Sequence, residues 1–300
     1  MRILLLGANG QVGHELLRSL SPLGDVVACT RTGRLAGGAQ AFACDLATPG
    51  AARARIRELA PDLVVNASAY TAVDRAEEEA GLAMRINAEA VAEVAEACAE
   101  RDARLIHYST DYVFDGTADR PYRESDPVAP VSSYGRSKLA GEQALAASGA
   151  RHVVFRLAWV YAARGRNFAL TMLRLAAERD QLGVVDDQVG APTPARWIAD
   201  ATAQVAHAHP DLDGVYHLAP SGRTSWFGYC SALLEGAVAA GLLGRLPALR
   251  RLTSADYPTP ARRPAYSCLD STRLRADTGL SLPDWRVGVE QLLADLPVRD

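Results

Sequence analysis

A glycine-rich segment directly after an apolar run near the start of the chain constrains the fold most strongly. Residues 7–13 read GANGQVG, follow the apolar run at residues 3–6 and open a segment of helical period. Gly7, Gly10 and Gly13 therefore have GxxGxxG spacing in the strand–turn–helix context of a dinucleotide-binding loop. Glycine permits a tight turn, and the helix N-terminus offers amide donors to a pyrophosphate. The residues predicted to bind the dinucleotide here are Gly7, Gly10, Gln11, Val12 and Gly13.

Short apolar runs alternate with longer segments of helical period through the first half, as is typical of βαβ units and a parallel sheet. The predicted strands lie at about residues 2–7, 26–30, 40–44, 63–68, 104–110 and 152–159. The predicted helices are Gln11 to Ser21, Asn87 to Ala103, and one capped by Ser132 or Ser133 that runs to about Ala147. We therefore expect an α/β fold, a Rossmann-type doubly wound parallel sheet.

The pattern loosens beyond residue 160, and the run Val215 to Leu218 looks like one more sheet strand. Other predicted elements are helices at about 167–179, from about 194 and at about 284–296, and a strand near Val184. We expect a dinucleotide-binding Rossmann domain at 1–160, plus a returning strand near 214–220. Residues 161–300 should form mainly a smaller C-terminal substrate-binding lobe, interleaved with the first domain.

Composition and charge exclude several classes of protein. With 49% hydrophobic and 22% charged residues and a formal net charge of -3, the chain reads as a soluble globular protein, with no sign of nucleic-acid binding. The N-terminal apolar run is too short for a signal peptide or membrane span, so we expect no membrane association and a cytoplasmic location. The five cysteines are widely spaced without a CxxC pair, which predicts reduced, mostly structural thiols.

The chain has 32 lysine and arginine residues, of which only Lys138 is a lysine. Tyr134 precedes it by four residues, so both side chains lie on one face of the predicted helix. A nearby ammonium favours phenolate and would lower the pKa of Tyr134 towards that of a usable general acid. The same ammonium can hold the ribose of a nicotinamide cofactor. The alternative is a surface pair on an amphipathic helix.

The predicted fifth strand ends at Thr110 and Asp111, which should face Tyr134 across the substrate. The Thr110 hydroxyl can then hydrogen-bond the reacting oxygen and help to stabilise negative charge that develops there. Asp111 is expected to bind substrate hydroxyls, with a turn-forming aspartate as the alternative.

The end of the second strand bears on cofactor preference. The run VVACTRT, residues 26–32, lacks the acid that usually binds the ribose hydroxyls of NAD. Arg31 can instead bind a 2′-phosphate, and Thr30 can hydrogen-bond the ribose. We therefore predict NADPH as the preferred cofactor, with NADH as the alternative, and a solvated surface arginine as the alternative role for Arg31.

Further cofactor contacts are expected at the ends of the third and fourth strands, where open parallel sheets bind ligands. Asp45 can accept a hydrogen bond from the adenine amino group, or it can cap a helix. Together with Asp45, the residues predicted to line the adenine, ribose and diphosphate are Leu46, Ala69, Tyr70 and Thr71.

Six segments occur together in the order GANGQVG, STDYVF, YGRSK, RLAWVYA, DQVGAPT and YPTPARRP. In order and spacing they resemble the dTDP-4-dehydrorhamnose reductase family of extended short-chain dehydrogenase/reductases, and the resemblance covers essentially the whole chain. YxxxK and the glycine motif mark only the superfamily, whereas DQVGAPT and YPTPARRP are specific to this family.

The resemblance implies a reaction and a set of site residues. The reaction would be NADPH-dependent reduction of the C4 ketone of dTDP-4-dehydro-L-rhamnose to dTDP-L-rhamnose. Thr110, Tyr134 and Lys138 would form the catalytic triad, with Tyr134 and Lys138 also contacting the cofactor. The substrate-binding set would comprise Thr110, Asp111, Tyr134, Trp159, Arg262 and Arg263. Trp159 would contact the sugar, with a core aromatic as its alternative role, and Arg262 or Arg263 would clamp the diphosphate because a guanidinium binds phosphate in a fork.

The sequence leaves four rival functions to consider. A nucleotide-sugar 4,6-dehydratase typically has Asp-Glu directly after the catalytic threonine, whereas here Asp111 is followed by Tyr112. A 4-epimerase or another nucleotide-sugar 4-ketoreductase is disfavoured only by the family-specific segments. A non-catalytic regulatory subunit of methionine adenosyltransferase type is disfavoured because all three triad residues are present.

The sequence also bears on whether the protein binds a metal and how it assembles. Some members of the family are metal-bridged dimers held through surface carboxylates. Glu15 could supply one such ligand, but Arg196 stands where a partnering acid is expected. We therefore predict no required metal and a monomer or homodimer.

Overall fold

The computed structural model of the protein describes residues 1–297. The strands in chain order are β1 Arg2–Leu6, β2 Asp25–Thr30, β3 Phe42–Ala43, β4 Leu63–Asn66, β5 Arg104–Thr110, β6 His152–Leu157, β7 Val160–Tyr161, β8 Gln181–Val185, β9 Val189–Gly190, β10 Thr193–Pro194, β11 Gly214–His217, β12 Pro220–Ser221, β13 Thr224–Ser225, β14 Ala248–Leu252 and β15 Leu282–Asp284. Seven of them form a parallel sheet in the order β11-β6-β5-β4-β1-β2-β3. The predicted doubly wound parallel sheet is confirmed.

The helices pack on both faces of this sheet. In chain order they are α1 Gln11–Leu20, α2 Ala51–Leu59, α3 Arg75–Glu78, α4 Ala80–Met84, α5 Ala90–Ala99, α6 Ser133–Ala147, α7 Phe168–Glu178, α8 Ala195–Ala208, α9 Trp226–Ala239, α10 Thr272–Thr278 and α11 Trp285–Asp295. Leu16 of α1 and Ile198 of α8 are buried in the core on one face, and Ile56 of α2 and Val94 of α5 in the core on the other. Both sheet faces are covered, which explains the continuous apolar runs of the strands.

Most predicted helices and strands are confirmed, and the differences between prediction and structure have physical reasons. The predicted helix from Asn87 is split, because a π-helical turn at Arg85–Glu89 precedes α5. The predicted sixth strand extends to 159, yet β6 ends at Leu157 because Trp159 has φ +46°, outside the strand region. Helix α9 was missed because it is apolar on most sides and lacks a clear amphipathic period.

The predicted returning strand is present as β11, which pairs in parallel with β6 at the edge of the sheet. Helices α7, α9 and α11 form a separate apolar core in which Tyr229 and Trp285 are buried. The division into two interleaved domains stays a prediction that this packing supports. Among residues 1–297, no helix is both long and apolar enough to cross a membrane. All five cysteines are free and buried, as predicted.

Candidate active site

Two of the predicted site residues, Thr110 and Asp111, lie where β5 ends. Thr110, the last residue of β5, donates a hydrogen bond from Oγ1 to Asp111 Oδ1 at 3.0 Å and accepts one from the Tyr112 amide at 3.2 Å. The bond from the Tyr112 amide caps a single 3-10 turn over Asp111–Val113, which the Phe114 amide closes by donating to the Asp111 carbonyl oxygen. The turn fixes Thr110 and Asp111 at the carboxyl edge of the sheet, where parallel α/β folds bind ligands.

Helix α6 places Tyr134 and Lys138 beside that edge. Its N-cap is Ser132, whose hydroxyl accepts a hydrogen bond from the Gly135 amide at 3.1 Å, so Ser132 and not Ser133 is the cap. Gly135 lies so near the Tyr112 carbonyl oxygen that a Cβ there would overlap it. This close approach brings the first turn of α6 against the end of β5.

Glu77 anchors the same helix from the opposite side. Its carboxylate accepts hydrogen bonds from the Ser133 amide at 2.8 Å and from the Ser133 hydroxyl at 2.9 Å. A carboxylate beside the free amides of a helix N-terminus is favourable. Glu77 was not predicted, because nothing in the sequence around it indicates which of several neighbouring glutamates meets α6.

The phenol of Tyr134 lies against Tyr112 and Thr110. The rings of Tyr134 and Tyr112 meet edge to face with centroids 5.9 Å apart. Burial raises the pKa of Tyr134 to about 12, and interaction with the Thr110 hydroxyl opposes that rise. The expectation that Lys138 lowers the pKa of Tyr134 is therefore wrong for this structure. At this pKa the Tyr134 phenol is protonated at neutral pH, as an ordinary tyrosine also is.

The Lys138 ammonium does not oppose this rise in the pKa of Tyr134, because it is directed into the protein. Nζ donates to the Tyr108 carbonyl oxygen at 2.6 Å and lies 3.3 Å from Nε2 of His107, and the side chain is only 2% exposed. Burial lowers the pKa of Lys138 to about 8, partly offset by the negative charge of Glu142. The alternative of a surface pair on an amphipathic helix is thus wrong.

Asp111 is as deeply buried as Lys138. Burial raises the pKa of its carboxyl to about 7, although hydroxyl groups of Ser267 and Thr110 act in the opposite direction. A buried carboxyl at the ligand-binding edge is suited to accept hydrogen bonds from a polar ligand that enters the site.

The glycine loop has the geometry of a dinucleotide cradle. Gly7 has φ +81°, a conformation that favours glycine, and the amides of Gly7 and Ala8 both donate to the Cys29 carbonyl oxygen of β2. A Cβ on Gly13 would overlap the Gly7 carbonyl oxygen, so glycine is needed for α1 to begin this close to the turn. The N-cap residue, Gly10, has no side chain, which leaves the helix N-terminus open to a pyrophosphate.

The other predicted residues of α1 lie in its first turn. Gln11 and Val12 are both partly exposed, and Gln11 Oε1 accepts a hydrogen bond from Asn167 Nδ2 at 2.7 Å. This bond ties the glycine loop to the start of α7 in the C-terminal part of the chain. Asn167 also caps α7, with its side chain accepting from the Leu170 amide.

Thr30 and Arg31, at the end of β2, differ in exposure and in whether their side chains already have hydrogen-bond partners. The Thr30 hydroxyl is buried and exchanges hydrogen bonds of 3.1 Å with the backbone of Arg34, so it supports the loop instead of facing a ribose. Arg31 is exposed, and no ion pair with it is formed among the described residues. Arg34, also exposed, places a second guanidinium on this loop.

The third and fourth strands supply the remaining predicted cofactor residues. Asp45 Oδ1 accepts from the Ala47 amide at 3.0 Å, so Asp45 forms a turn instead of capping α2, and Leu46 is buried behind it. The predicted segment Ala69, Tyr70 and Thr71 follows β4. Its shape is fixed by Asn87, whose side chain bonds both the amide and the carbonyl of Tyr70.

Asn87 is a residue that sequence reasoning missed. It is fully buried, and its Nδ2 also reaches the Ser137 hydroxyl of α6 at 3.0 Å. Asn87 thereby joins the segment after β4 to the helix that bears Tyr134. The available signal was an asparagine inside an otherwise apolar helical pattern, since a buried amide needs partners for all its polar atoms.

On the substrate side, Trp159 is partly exposed and packs at the margin of a small apolar cluster that includes Phe114. Its indole stacks on that of Trp226 with centroids 3.5 Å apart and planes 6° from parallel. Trp226 belongs to the missed helix α9 and was not predicted. Register places Leu157 of β6 beside Thr110 of β5, so Trp159 follows the strand end that adjoins the catalytic edge.

The two arginines of the YPTPARRP segment have different surroundings. The Arg263 guanidinium forms a two-pronged ion pair with Asp74, at 2.9 and 2.8 Å, and also donates to the Thr259 hydroxyl. Arg262 is exposed. Both line a groove of about 1170 Å³ that also includes Trp226 and Tyr257. The Arg263 guanidinium is thus engaged by Asp74, whereas Arg262 is exposed at the same groove.

Arg196 lies between the acids considered for metal binding. Its guanidinium pairs with Asp295 at 2.7 Å and approaches Glu15 at 3.9 Å. Within residues 1–297, no cluster of three or more His, Cys, Asp or Glu side chains is arranged to hold a metal. The arginine thus supplies positive charge to both carboxylates.

Comparisons with known proteins agree with this geometry. The family model described as RmlD substrate binding domain matches residues 1–298. The dTDP-4-dehydrorhamnose reductase of Escherichia coli K12 is 46% identical over 299 residues, covering 99% of this chain and 98% of the relative. The Burkholderia thailandensis enzyme of the same name is 45% identical over 305 residues, with 99% of both chains covered.

Solved structures show the same fold. The dTDP-4-dehydrorhamnose reductase of Bacillus anthracis in complex with NADP has a TM-score of 0.89 at 31% identity and covers 98% of this chain and 99% of its own. The UDP-glucose 4-epimerase of Thermus thermophilus in complex with NAD has a TM-score of 0.82 at 20% identity, with 98% of both chains covered, and shows the fold alone.

Proposed function

Because the chain belongs to the RmlD substrate-binding domain family, we propose that it reduces the C4 ketone of dTDP-4-dehydro-L-rhamnose to dTDP-L-rhamnose, with NADPH as the reductant. The observation that carries this proposal is the convergence of Thr110, Tyr134 and Lys138 at one edge of the sheet. The proposed reaction is the last step in making the sugar donor dTDP-L-rhamnose. A nicotinamide cofactor fits the open N-terminus of α1 and the glycine turn that precedes it.

Each residue of the site has a distinct task. The cofactor, when bound, supplies a hydride to C4. Tyr134, protonated at neutral pH, donates its phenolic proton to the C4 oxygen, so ketone becomes alcohol with hydride and proton both accounted for. In the proposed reaction the Thr110 hydroxyl exchanges its hydrogen bond to Asp111 Oδ1 for one to the same C4 oxygen and stabilises the charge that develops there. Lys138, whose ammonium donates to the Tyr108 carbonyl oxygen in the folded chain, would turn towards the nicotinamide ribose when the cofactor is bound. Asp111 accepts from a sugar hydroxyl.

A coupled assay tests the proposal. Enzymes that generate dTDP-4-dehydrorhamnose are mixed with the purified chain, and NADPH absorbance is followed. We expect NADPH oxidation that depends on both the keto-sugar and this chain. No oxidation above the background without the chain would refute the proposed function.

The rival functions meet specific obstacles. Where a dehydratase typically has a second acid, the ring of Tyr112 packs edge-on against Tyr134, so the site lacks a carboxyl at that position. An epimerase recycles its cofactor and retains it, whereas a reductase must release it. Tightly bound NAD in the purified protein would favour the epimerase. Co-purification with a synthetase and no turnover of any keto-sugar would favour the regulatory subunit.

Arg31 is proposed to select NADPH through the 2′-phosphate. We expect Arg31→Ala to raise KM for NADPH about tenfold to a hundredfold, as loss of a charge-assisted hydrogen bond of about 1.5–3 kcal/mol implies. KM for NADH should stay unchanged. Steady-state kinetics with both cofactors make the measurement, with Arg57→Ala on exposed α2 as the control. A kcat/KM for NADH equal to that for NADPH in the wild-type chain would contradict the assignment.

Arg262 and Arg263 should respond differently to replacement. We expect Arg262→Ala to raise KM for the nucleotide sugar about tenfold through loss of a diphosphate contact, with the melting temperature unchanged. Arg263→Ala instead leaves Asp74 without its partner and should lower the melting temperature. Kinetics and thermal denaturation of both variants are the test. A KM that rises only in Arg263→Ala would reverse the two roles.

A further inference from the structure

Two elements of the C-terminal part of the chain hold the indole of Trp159 in place. Trp226 covers one face of it in a nearly parallel stack. Gly190 approaches the same ring so closely that a Cβ on it would lie 2.5 Å from Cε2. Strand β9, which ends at Gly190, pairs antiparallel with β13, which directly precedes Trp226. One pair of short strands therefore places both Trp226 and Gly190 against Trp159.

The backbone of Trp159 shows why such support is needed. Its φ of +46° lies in the left-handed region, which is costly for a bulky side chain and persists only where the surroundings impose it. Trp226 is itself braced. Its Nε1 donates to Gln188 Oε1 at 3.2 Å, and its ring lies 4.6 Å from that of Phe168. Because these contacts fix Trp226, its ring can hold the indole of Trp159 in one orientation.

We propose that Trp226 is a positioning residue that holds Trp159 in the sugar subsite and so determines affinity for the sugar portion of the substrate. This inference rests on the proposed function, in which Trp159 contacts the sugar. Trp226 also lines the groove that contains Arg262, so the stack connects the catalytic edge of the sheet with that groove. Flat aromatic faces are well suited to pack against the apolar face of a sugar ring or its methyl group.

The central experiment is Trp226→Leu, which removes the platform but keeps an apolar side chain. We expect KM for dTDP-4-dehydrorhamnose to rise about tenfold, the upper end of what an aromatic pair contributes. KM for NADPH should be unchanged, because the glycine loop is untouched. The inhibition constant of dTDP, which lacks the sugar, should also be unchanged. This split distinguishes a role through Trp159 from general damage to the fold.

Two further variants complete the aromatic series. Trp226→Phe keeps a ring for stacking and should recover most of the sugar affinity. Phe227→Leu removes the next aromatic of α9, which stacks on Arg251 at 4.1 Å, and should behave as wild type. Melting temperatures of all variants establish that each is folded.

Gly190→Ala tests the inference independently of Trp226. The added methyl group pushes on the ring of Trp159 and should raise KM for the sugar substrate without changing KM for NADPH. This variant carries the test if Trp226→Leu does not fold.

The outcomes separate the inference from the function on which it rests. No turnover by the wild-type chain would refute the proposed function. An active wild type with unchanged sugar KM in folded Trp226→Leu, or in folded Gly190→Ala, would overturn the inference. It would also be overturned if the dTDP inhibition constant rose in parallel with KM, since Trp226 would then contact the nucleotide directly.

Discussion

Replacing Tyr134 with phenylalanine is expected to lower kcat by about two to four orders of magnitude, the usual contribution of a positioned general acid. Only the hydroxyl is removed, so the edge-to-face packing on Tyr112 and the start of α6 should persist. The wild-type phenol, whose pKa burial raises to about 12, is protonated at neutral pH as an ordinary tyrosine is, and it carries the proton that the C4 oxygen needs.

The measurement for Tyr134→Phe is steady-state reduction of the keto-sugar, together with the melting temperature. Tyr112→Phe is the matched control, since it removes a buried phenolic hydroxyl from the adjoining ring, and it should retain wild-type kcat. Retention of more than about a tenth of wild-type kcat in Tyr134→Phe would mean that another group donates the proton.

Lys138→Arg should lower kcat about a hundredfold or more, although the positive charge is retained. The site around Nζ is built for a compact ammonium, with the Tyr108 carbonyl oxygen at 2.6 Å and His107 Nε2 at 3.3 Å. A planar guanidinium cannot occupy this space and also reach the nicotinamide ribose from the same place. We expect the fold to remain intact, as judged by the melting temperature and circular dichroism.

The pH profile gives the Lys138 variant a second signature. Burial lowers the pKa of the Lys138 amine to about 8, and the charged form is the active one. Wild-type kcat/KM should therefore fall as pH rises through about 8, whereas the residual activity of Lys138→Arg should not, because arginine stays protonated. Arg136→Lys, an exposed exchange on the same helix, is the control and should match wild type. Wild-type activity in Lys138→Arg would mean that the single lysine is incidental.

Local features were predicted well because they depend on neighbours in the chain. The glycine spacing, the apolar strands and the Tyr134–Lys138 pair on one helix all follow from short-range geometry. The same local reasoning predicts that either Ser132 or Ser133 caps α6, and in the structure the cap is Ser132. The returning strand β11 was visible as an apolar run, although its pairing with β6 depends on a distant part of the chain.

Contacts between segments that are distant in the chain cannot be predicted from such local patterns. Asp74 and Arg263 pair across 189 positions, and without that pair the two arginines of YPTPARRP are indistinguishable. Trp226 stacks on Trp159 only because β9 and β13 bring their segments together. Asn87 reaches Ser137 across 50 positions. The partner of each polar or aromatic group was set by packing, which no local pattern encodes.

By itself, the sequence determined the fold class, the family and the three residues at the centre of the proposed chemistry. Only the tertiary structure decided the directions in which the pKa values of Tyr134 and Lys138 shift. The sequence placed an ammonium one helical turn from Tyr134 and so predicted a lowered pKa. In the folded chain, the ammonium of Lys138 is directed towards the carbonyl of Tyr108, and burial raises the pKa of Tyr134 instead. The physical reason is that a pKa depends on burial and on where charges point in three dimensions, and spacing along a helix specifies neither.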